Sequence, residues 1–218
     1  LSRRQRQMCI RDRPIALQEL LVHISFLIIT SIVNGLGLVA SAGIGISEKL
    51  FVFLSIAPSA FMSALSAFVA QNMGAGNPQR ALRAMYVAQA ISFACGILTF
   101  SLTFFAGDFL ASLFDGDPAV IQATAQYMRG SGFEYLMIPL SFCFLGYFNG
   151  RERTAFVMIQ GLASAFLVRI PLSYYLSRLP GAGMFTISLA VPAAGLLSLG
   201  MCLAYFLHIR RGEPLPGK

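Results

Sequence analysis

Long apolar stretches separated by short polar connections dominate the chain. Each stretch reaches roughly 20 residues, enough for a helix to cross a hydrocarbon core of about 30 Å. Strands with open edges are excluded at that depth because lipid offers their backbone groups no hydrogen-bonding partner. The pattern therefore predicts an all-α membrane protein, a six-helix transmembrane bundle. The predicted spans cover residues 15–36, 50–72, 85–106, 120–148, 154–177 and 184–208.

The connections between these spans contain turn residues. Clusters of Gly, Asn, Asp and Pro occupy residues 74–78, 115–118, 149–151 and 180–183, and such clusters indicate loops. Composition agrees with a membrane setting: 56% of the residues are hydrophobic and 11% are charged, against about 25% charged residues in an ordinary soluble domain.

The first thirteen residues differ from the rest of the chain. They contribute five arginines to the net charge of +7, and residues 8–13 (MCIRDR) resemble the translation of a sequencing-library adapter. We expect residues 1–13 to be non-native and disordered, with a native basic juxtamembrane segment as the alternative. Residues 14–211 then form the bundle, residues 212–218 form a cytoplasmic tail, and the chain is expected to be a fragment that lacks an upstream half.

Charge also predicts the orientation of the bundle, because cytoplasmic loops are enriched in Lys and Arg. One set of connections and ends contains Arg80, Arg83, Arg151, Arg153, Arg210, Arg211 and Lys218. The opposite set contains Lys49 and Arg178, beside Glu48, Asp115 and Asp117. The first set is therefore predicted to be cytoplasmic, together with both ends of the bundle, in a bacterial-type inner membrane.

Acidic side chains within the spans are the first functional candidates. A charged group near the bilayer centre costs about 2.5–3.5 kcal/mol on insertion scales, so it usually borders a cavity or a partner. Glu134, in the fourth span, is predicted to bind the coupling H⁺ or Na⁺; the alternative is a structural partner for Arg129 or Arg169. Glu19 and His23 are further candidates for proton coupling, although both lie near the cytoplasmic end, where snorkelling to water is easy.

Other polar residues share helix faces with these candidates. Thr30 and Asn34 lie on the face of Glu19 and His23, and Tyr127 and Ser141 lie on the face of Glu134. We expect these four residues to line a central cavity.

Arg169 is two residues before Pro171, which frees backbone carbonyls and kinks the helix. Its guanidinium could cap those carbonyls, pair with Glu134 or meet a substrate anion.

Several motifs are expected to be structural. Gln71, Asn72, Gly74 and Gly76 end the second span and form the turn after it. The segment lacks the Lys-Ser/Thr pair of a phosphate-binding loop. The single cysteines have no metal-binding spacing, and catalytic spacings of Ser, His and Asp do not occur. The sequence thus predicts no enzyme activity, cofactor, metal or nucleic-acid partner.

Ordered motifs along the chain resemble the MATE (multidrug and toxic compound extrusion) transporters. Residues 14–37 look like the seventh helix of that family. The sequence AFVAQNMGAG at 67–76, followed by Arg80-Ala81, is similar to its eighth helix and the loop after it. GYFNG at 146–150 and VRIPLSY at 168–174 resemble its tenth- and eleventh-helix signatures. The resemblance extends from residue 14 to about residue 211.

The resemblance implies a fold and a function. MATE transporters consist of two six-helix lobes, of which this chain would be the second, with the lipid bilayer and the missing lobe as partners. Members exchange H⁺ or Na⁺ for small organic, often cationic, compounds by alternating access, and acids on their seventh and tenth helices take part in coupling. Glu134 is in the matching helix, whereas Glu19 is nearer the start of its helix than expected. A lipid-linked precursor flippase of related fold and a non-transporting membrane subunit are the alternatives.

Overall fold

The computed structural model describes residue 20 and residues 24–212, and within these residues the chain is helical, without a strand. The prediction of an all-α fold is confirmed. The helices are α1 (Ile24–Asn34), α2 (Leu38–Leu54), α3 (Ile56–Gly74), α4 (Pro78–Phe105), α5 (Gly107–Ser112), α6 (Pro118–Ser131), α7 (Glu134–Gly150), α8 (Thr154–Ala163), a π-helical turn (Ser164–Arg169), α9 (Ile170–Ser177), α10 (Met184–Ser188) and α11 (Ala190–Gly212).

Neighbouring helices continue one another to form rods long and apolar enough to cross a membrane. Four rods meet this description among the described residues: Leu38–Gly74, Pro78–Phe105, Thr154–Ser177 and Met184–Arg211. The first is longer than the second predicted span, residues 50–72. It begins directly after Gly37, whose φ of +111° makes the turn from α1, because glycine adopts positive φ at low cost.

The fourth predicted span, residues 120–148, is divided into α6 and α7. The interruption falls at Gly132 and Phe133, and Glu134 is consequently the first residue of α7. The two helices have different main neighbours: α6 packs chiefly against α2, α5 and α10, whereas α7 packs chiefly against α3, α4 and α11.

Close backbone contact joins α7 to α3. A Cβ atom at Gly146 would lie 2.6 Å from the carbonyl oxygen of Met62, and one at Gly150 would lie 2.6 Å from that of Ser66. Small residues at such positions let helix backbones approach within a membrane. A different face of α7, centred near Ser141, is thereby left free to border the interior of the bundle.

The largest hydrophobic cluster joins α3, α4, α7, α8 and α11. Phe148 is fully buried in it, and the rings of Phe156 and Tyr205 stack at a centroid distance of 3.9 Å. Aromatic pairs of this kind add about 0.5–1.5 kcal/mol beyond their buried area. The cluster packs five helices together, and the polar groups described below lie between three of them, α7, α8 and α11.

Gly146→Ala is expected to destabilise the protein, because its methyl group would overlap the backbone of α3, which cannot rotate away. Overpacking of this kind costs about 1–3 kcal/mol. Thermal unfolding in detergent should show a lowered Tm. The matched control is Gly200→Ala on α11, where no atom lies within 4 Å of the added Cβ; equal Tm values for the two variants would contradict this account of α3–α7 packing.

Candidate functional site

A buried ion pair connects α7 to the rod that contains the π-helical turn. Arg169 Nη2 donates a hydrogen bond to Glu134 Oε1 at 2.9 Å, and the two side chains are 13% and 6% exposed. The pair between Arg129 and Asp108 has a similar distance, 2.7 Å, but its side chains are 43% and 55% exposed. Of the two possible partners for Glu134, the structure therefore places Arg169 against it.

The π-helical turn follows from the sequence around Arg169. Pro171 has no N–H group to donate to the preceding turn, and its ring crowds the carbonyl four residues earlier. The helix widens just before it, over Ser164–Arg169, and such turns often mark functional sites. The guanidinium of Arg169 also lies 5.0 Å from the ring centroid of Phe26 in α1, a cation–π contact. Arg169 thus touches both α7 and α1.

A second carboxylate lies near this pair. Thr30 Oγ1 donates to Glu48 Oε1 at 2.8 Å, and Glu48 is half-buried within α2. A small cavity of about 30 Å³ is lined by both Glu48 and Glu134, together with Tyr127 and Ser131. Its volume equals roughly that of one water molecule. The two acids therefore border one space.

Glu48 was assigned to a connection because the second predicted span begins at residue 50. The signal that could have found it is the absence of Pro and Asn from residues 38–54, since a connection normally contains such residues. A carboxylate in an uninterrupted apolar stretch is a functional candidate. Glu48 is therefore a further candidate residue of the functional site.

A polar cleft runs between α7, α8 with the π-helical turn, and α11. Its volume is about 280 Å³. Glu134, Ile138, Ser141, Leu145 and Asn149 form its α7 wall, at spacings that place them on one helix face. The polar residues that line it are Glu134, Ser141, Asn149, Gln160, Ser164, Arg169 and Ser198.

Several polar atoms of the cleft lack a hydrogen-bond partner. Within the described ranges, Ser141 Oγ, Asn149 Oδ1 and Arg169 Nε are buried and unpartnered. Ser198 Oγ, by contrast, donates to Gln160 Oε1 at 2.7 Å and so joins α11 to α8. Buried polar groups are almost always hydrogen-bonded to protein or water. The cleft is consequently suited to hold water or a polar ligand.

The other predicted cavity residues occupy different places. Tyr127 is buried beside Ile29 and Val191, outside the polar cleft. Asn34 is exposed at the end of α1, where its Oδ1 accepts a hydrogen bond from Ser41 Oγ at 2.6 Å. Glu19 and His23 lie outside the described residues. The structure thus brings together Glu134, Ser141 and Arg169, places Thr30 near Glu48, and keeps Asn34 apart.

The predicted turn residues form the end of α3. Ala75 N donates to the Gln71 carbonyl at 3.0 Å and Asn77 N donates to the Asn72 carbonyl at 2.8 Å. Gly74 is the last residue of the helix. Gly76 has a φ of +72°, a conformation that glycine adopts readily. Gln71, Asn72, Gly74 and Gly76 thus form the end of α3 and the turn after it.

Membrane-length rods around a charged pair and a polar cleft define a polytopic membrane protein of the transporter class. Comparison with known proteins identifies the family: residues 14–175 match MatE. The chain belongs to the MatE family, whose members are transporters and not enzymes. The resemblance drawn from the motifs is confirmed.

Two curated relatives and two solved structures show the extent of the similarity. The chain is 31% identical to a FAD transporter of Shewanella oneidensis over 205 residues, which cover 93% of this chain and 44% of that protein. It is 26% identical to the probable multidrug resistance protein YpnP of Bacillus subtilis, with 92% and 44% covered. The chain thus spans about half the length of these relatives.

The solved structures share the fold. One is a MOP superfamily transporter from Pyrococcus furiosus, with a TM-score of 0.83, 17% identity, and 93% of this chain and 44% of that chain covered. The other is an inward-facing multidrug resistance MATE family transporter, with a TM-score of 0.73, 16% identity, and 97% and 48% covered. Both similarities support the membrane-spanning, all-α architecture.

Glu134→Gln is expected to destabilise the protein more than Arg169→Gln. The guanidinium left by the first change stays charged, whereas the carboxyl left by the second can bind a proton and become neutral. An unpaired buried charge costs about 3–5 kcal/mol in soluble proteins. Thermal unfolding in detergent micelles measures both variants.

The exposed ion pair between Arg129 and Asp108 supplies the controls for the two stability measurements. Arg129→Gln and Asp108→Asn should each change stability by about 0–1 kcal/mol. If Arg169→Gln proved as damaging as Glu134→Gln, or if neither exceeded these controls, the ion pair would not have the energetic role described here.

Proposed function

We propose that this chain is one lobe of a two-lobe secondary transporter that exports small organic molecules in exchange for H⁺. The observation that carries the proposal is the buried ion pair between Glu134 and Arg169, which joins α7 to the rod containing the π-helical turn. Membership of the MatE family supports transport as the activity. The share of its relatives that the chain covers, 44%, supports the assignment to one lobe.

Proton binding at Glu134 would change the contact between α7 and the rod containing the π-helical turn. The carboxylate holds Arg169 by charge and by a hydrogen bond at 2.9 Å. A proton on the carboxyl removes the negative charge and therefore weakens this attraction. Arg169 lies where the π-helical turn meets the proline-containing α9, a position at which helices bend. Protonation thus favours a different bend of the rod, which biases alternating access.

H⁺ suits this site better than Na⁺. Hard cations bind several oxygen ligands at once, and a Na⁺ at Glu134 would stand beside the guanidinium that already contacts Oε1. The resulting repulsion in a region of low dielectric is strong. A proton needs only one carboxyl oxygen. Na⁺ coupling remains the competing outcome of the transport experiment below.

Two substrate classes follow from the relatives. The multidrug resistance name of one relative supports organic, often cationic, compounds. The name of the other, a FAD transporter at 31% identity, supports an anionic flavin dinucleotide. Transport of both compound types is therefore compared in the experiment.

The two alternative functions, a flippase and a non-transporting membrane subunit, receive less support. A flippase for lipid-linked precursors would favour a wide, arginine-rich cavity, whereas the polar cleft has one arginine among its described lining residues, Arg169. A non-transporting subunit would need no polar face inside the bundle. The unpartnered atoms of Ser141 and Asn149 argue against it.

Glu134→Gln should reduce pH-driven export by about tenfold or more, a typical size for lost coupling between two sites. The protein, expressed from its complete gene, is reconstituted into vesicles with an imposed pH or Na⁺ gradient. Uptake of a fluorescent organic cation and of FAD is measured separately. Expression level and Tm are recorded for each variant.

Asp108→Asn is the matched control, because it removes a carboxylate that pairs with arginine at an exposed position. It should export at the unaltered rate. Full activity of Glu134→Gln would remove Glu134 from the mechanism, and export driven by Na⁺ alone would replace H⁺ as the coupling ion.

A further inference from the structure

The polar cleft extends along most of α7. Its wall begins at Glu134 and ends at Asn149, which is about 22 Å at 1.5 Å per residue. One end contains the ion pair. The other end adjoins the connection with Arg151 and Arg153, which the charge pattern predicts to be cytoplasmic. The cleft therefore leads from Glu134 towards one side of the membrane.

Polar groups line the cleft between these two ends. Ser141, which is 5% exposed, has an unpartnered Oγ atom among the described residues. The amide of Gln160 and the hydroxyl of Ser198 also line the cleft, and Asn149 contributes a further unpartnered oxygen. A purely apolar cavity stays dry, whereas unsatisfied polar groups retain water. At roughly 30 Å³ for each water molecule, a cleft of about 280 Å³ has room for several water molecules.

We propose that the polar cleft is a water-filled passage that carries the coupling proton between Glu134 and the cytoplasm. The proposal rests on the proton-coupled function of Glu134 given above. Protonated Glu134 transfers its proton to a water molecule, and the carboxylate that remains pairs with Arg169. The excess proton leaves along the hydrated cleft, so that O–H bonds alone are broken and formed.

The contact between Ser198 and Gln160 is the crossing point of this passage. Ser198 Oγ donates to Gln160 Oε1 across the space between α11 and α8. Gln160 Nε2 donates to the Val157 carbonyl of its own helix at 3.3 Å, so its amide is held in orientation. Side-chain bulk added at Ser198 would fill the passage, whereas its truncation would leave the space open.

Thiol labelling tests whether water reaches the passage. Ser141→Cys and Ser198→Cys are treated with a small charged methanethiosulfonate, applied to one membrane side at a time, and the modified peptides are identified by mass spectrometry. Both new thiols should react from the cytoplasmic side. The internal controls are Cys143 and Cys202, which lie on the same two helices and are fully buried; they should stay unmodified. An unreactive Cys at position 141, or one that reacts from the outside alone, would overturn the proposal.

Transport rates test whether protons use the passage. Ser198→Leu should slow pH-driven exchange by about tenfold or more, while substrate affinity stays unchanged. The matched control is Gly200→Leu on the same helix, where no atom lies within 4 Å of the added Cβ; it should exchange at the unaltered rate. Full activity of Ser198→Leu beside inactive Glu134→Gln would reject the passage and leave the function of Glu134 intact. Activity of both variants would reject the proposed function itself.

Discussion

The cost of placing charge in a low-dielectric interior governs this structure. Neither Glu134 nor Arg169 is stable alone at membrane depth, and each satisfies the other at 2.9 Å. That requirement fixes the approach of α7 to the rod containing the π-helical turn. The stacking of Arg169 on Phe26 extends the same constraint to α1. Arg169 thus links the rod containing the π-helical turn to both α7 and α1.

Packing elsewhere in the bundle makes this arrangement possible. Gly146 and Gly150 allow the backbone of α7 to contact α3 directly, and the aromatic cluster around Phe148 holds α7, α8 and α11 together at one end. Beside that cluster, α7, α8 and α11 leave the polar cleft of about 280 Å³ between them. Tight packing on one face of α7 and the polar cleft on another thus follow from the small and polar residues on its different faces.

Apolar length and turn residues made the all-α fold predictable, and the ordered motifs that resemble MATE transporters made the family predictable, whereas the coupling role of Glu134 stays a prediction. The pairing with Arg169 was one of several open alternatives, since a sequence does not give distances between helices. The helical wheel placed Tyr127 and Ser141 on the face of Glu134. In the structure Tyr127 borders the small cavity and Ser141 borders the polar cleft, and Glu134 lines both spaces. Glu48 was missed because the second predicted span began at residue 50, and only the tertiary contact with Thr30 shows how a helix accommodates this carboxylate.

Infrared difference spectroscopy gives the most direct view of the central claim, that Glu134 takes up a proton and releases Arg169. Spectra of the reconstituted protein are recorded while the pH is cycled, in normal and in heavy water. The account predicts a band from a protonated carboxyl group that shifts with the isotope, is lost in Glu134→Gln and persists in Asp108→Asn. A band that survives in Glu134→Gln, or the absence of any such band from the unaltered protein, would contradict it.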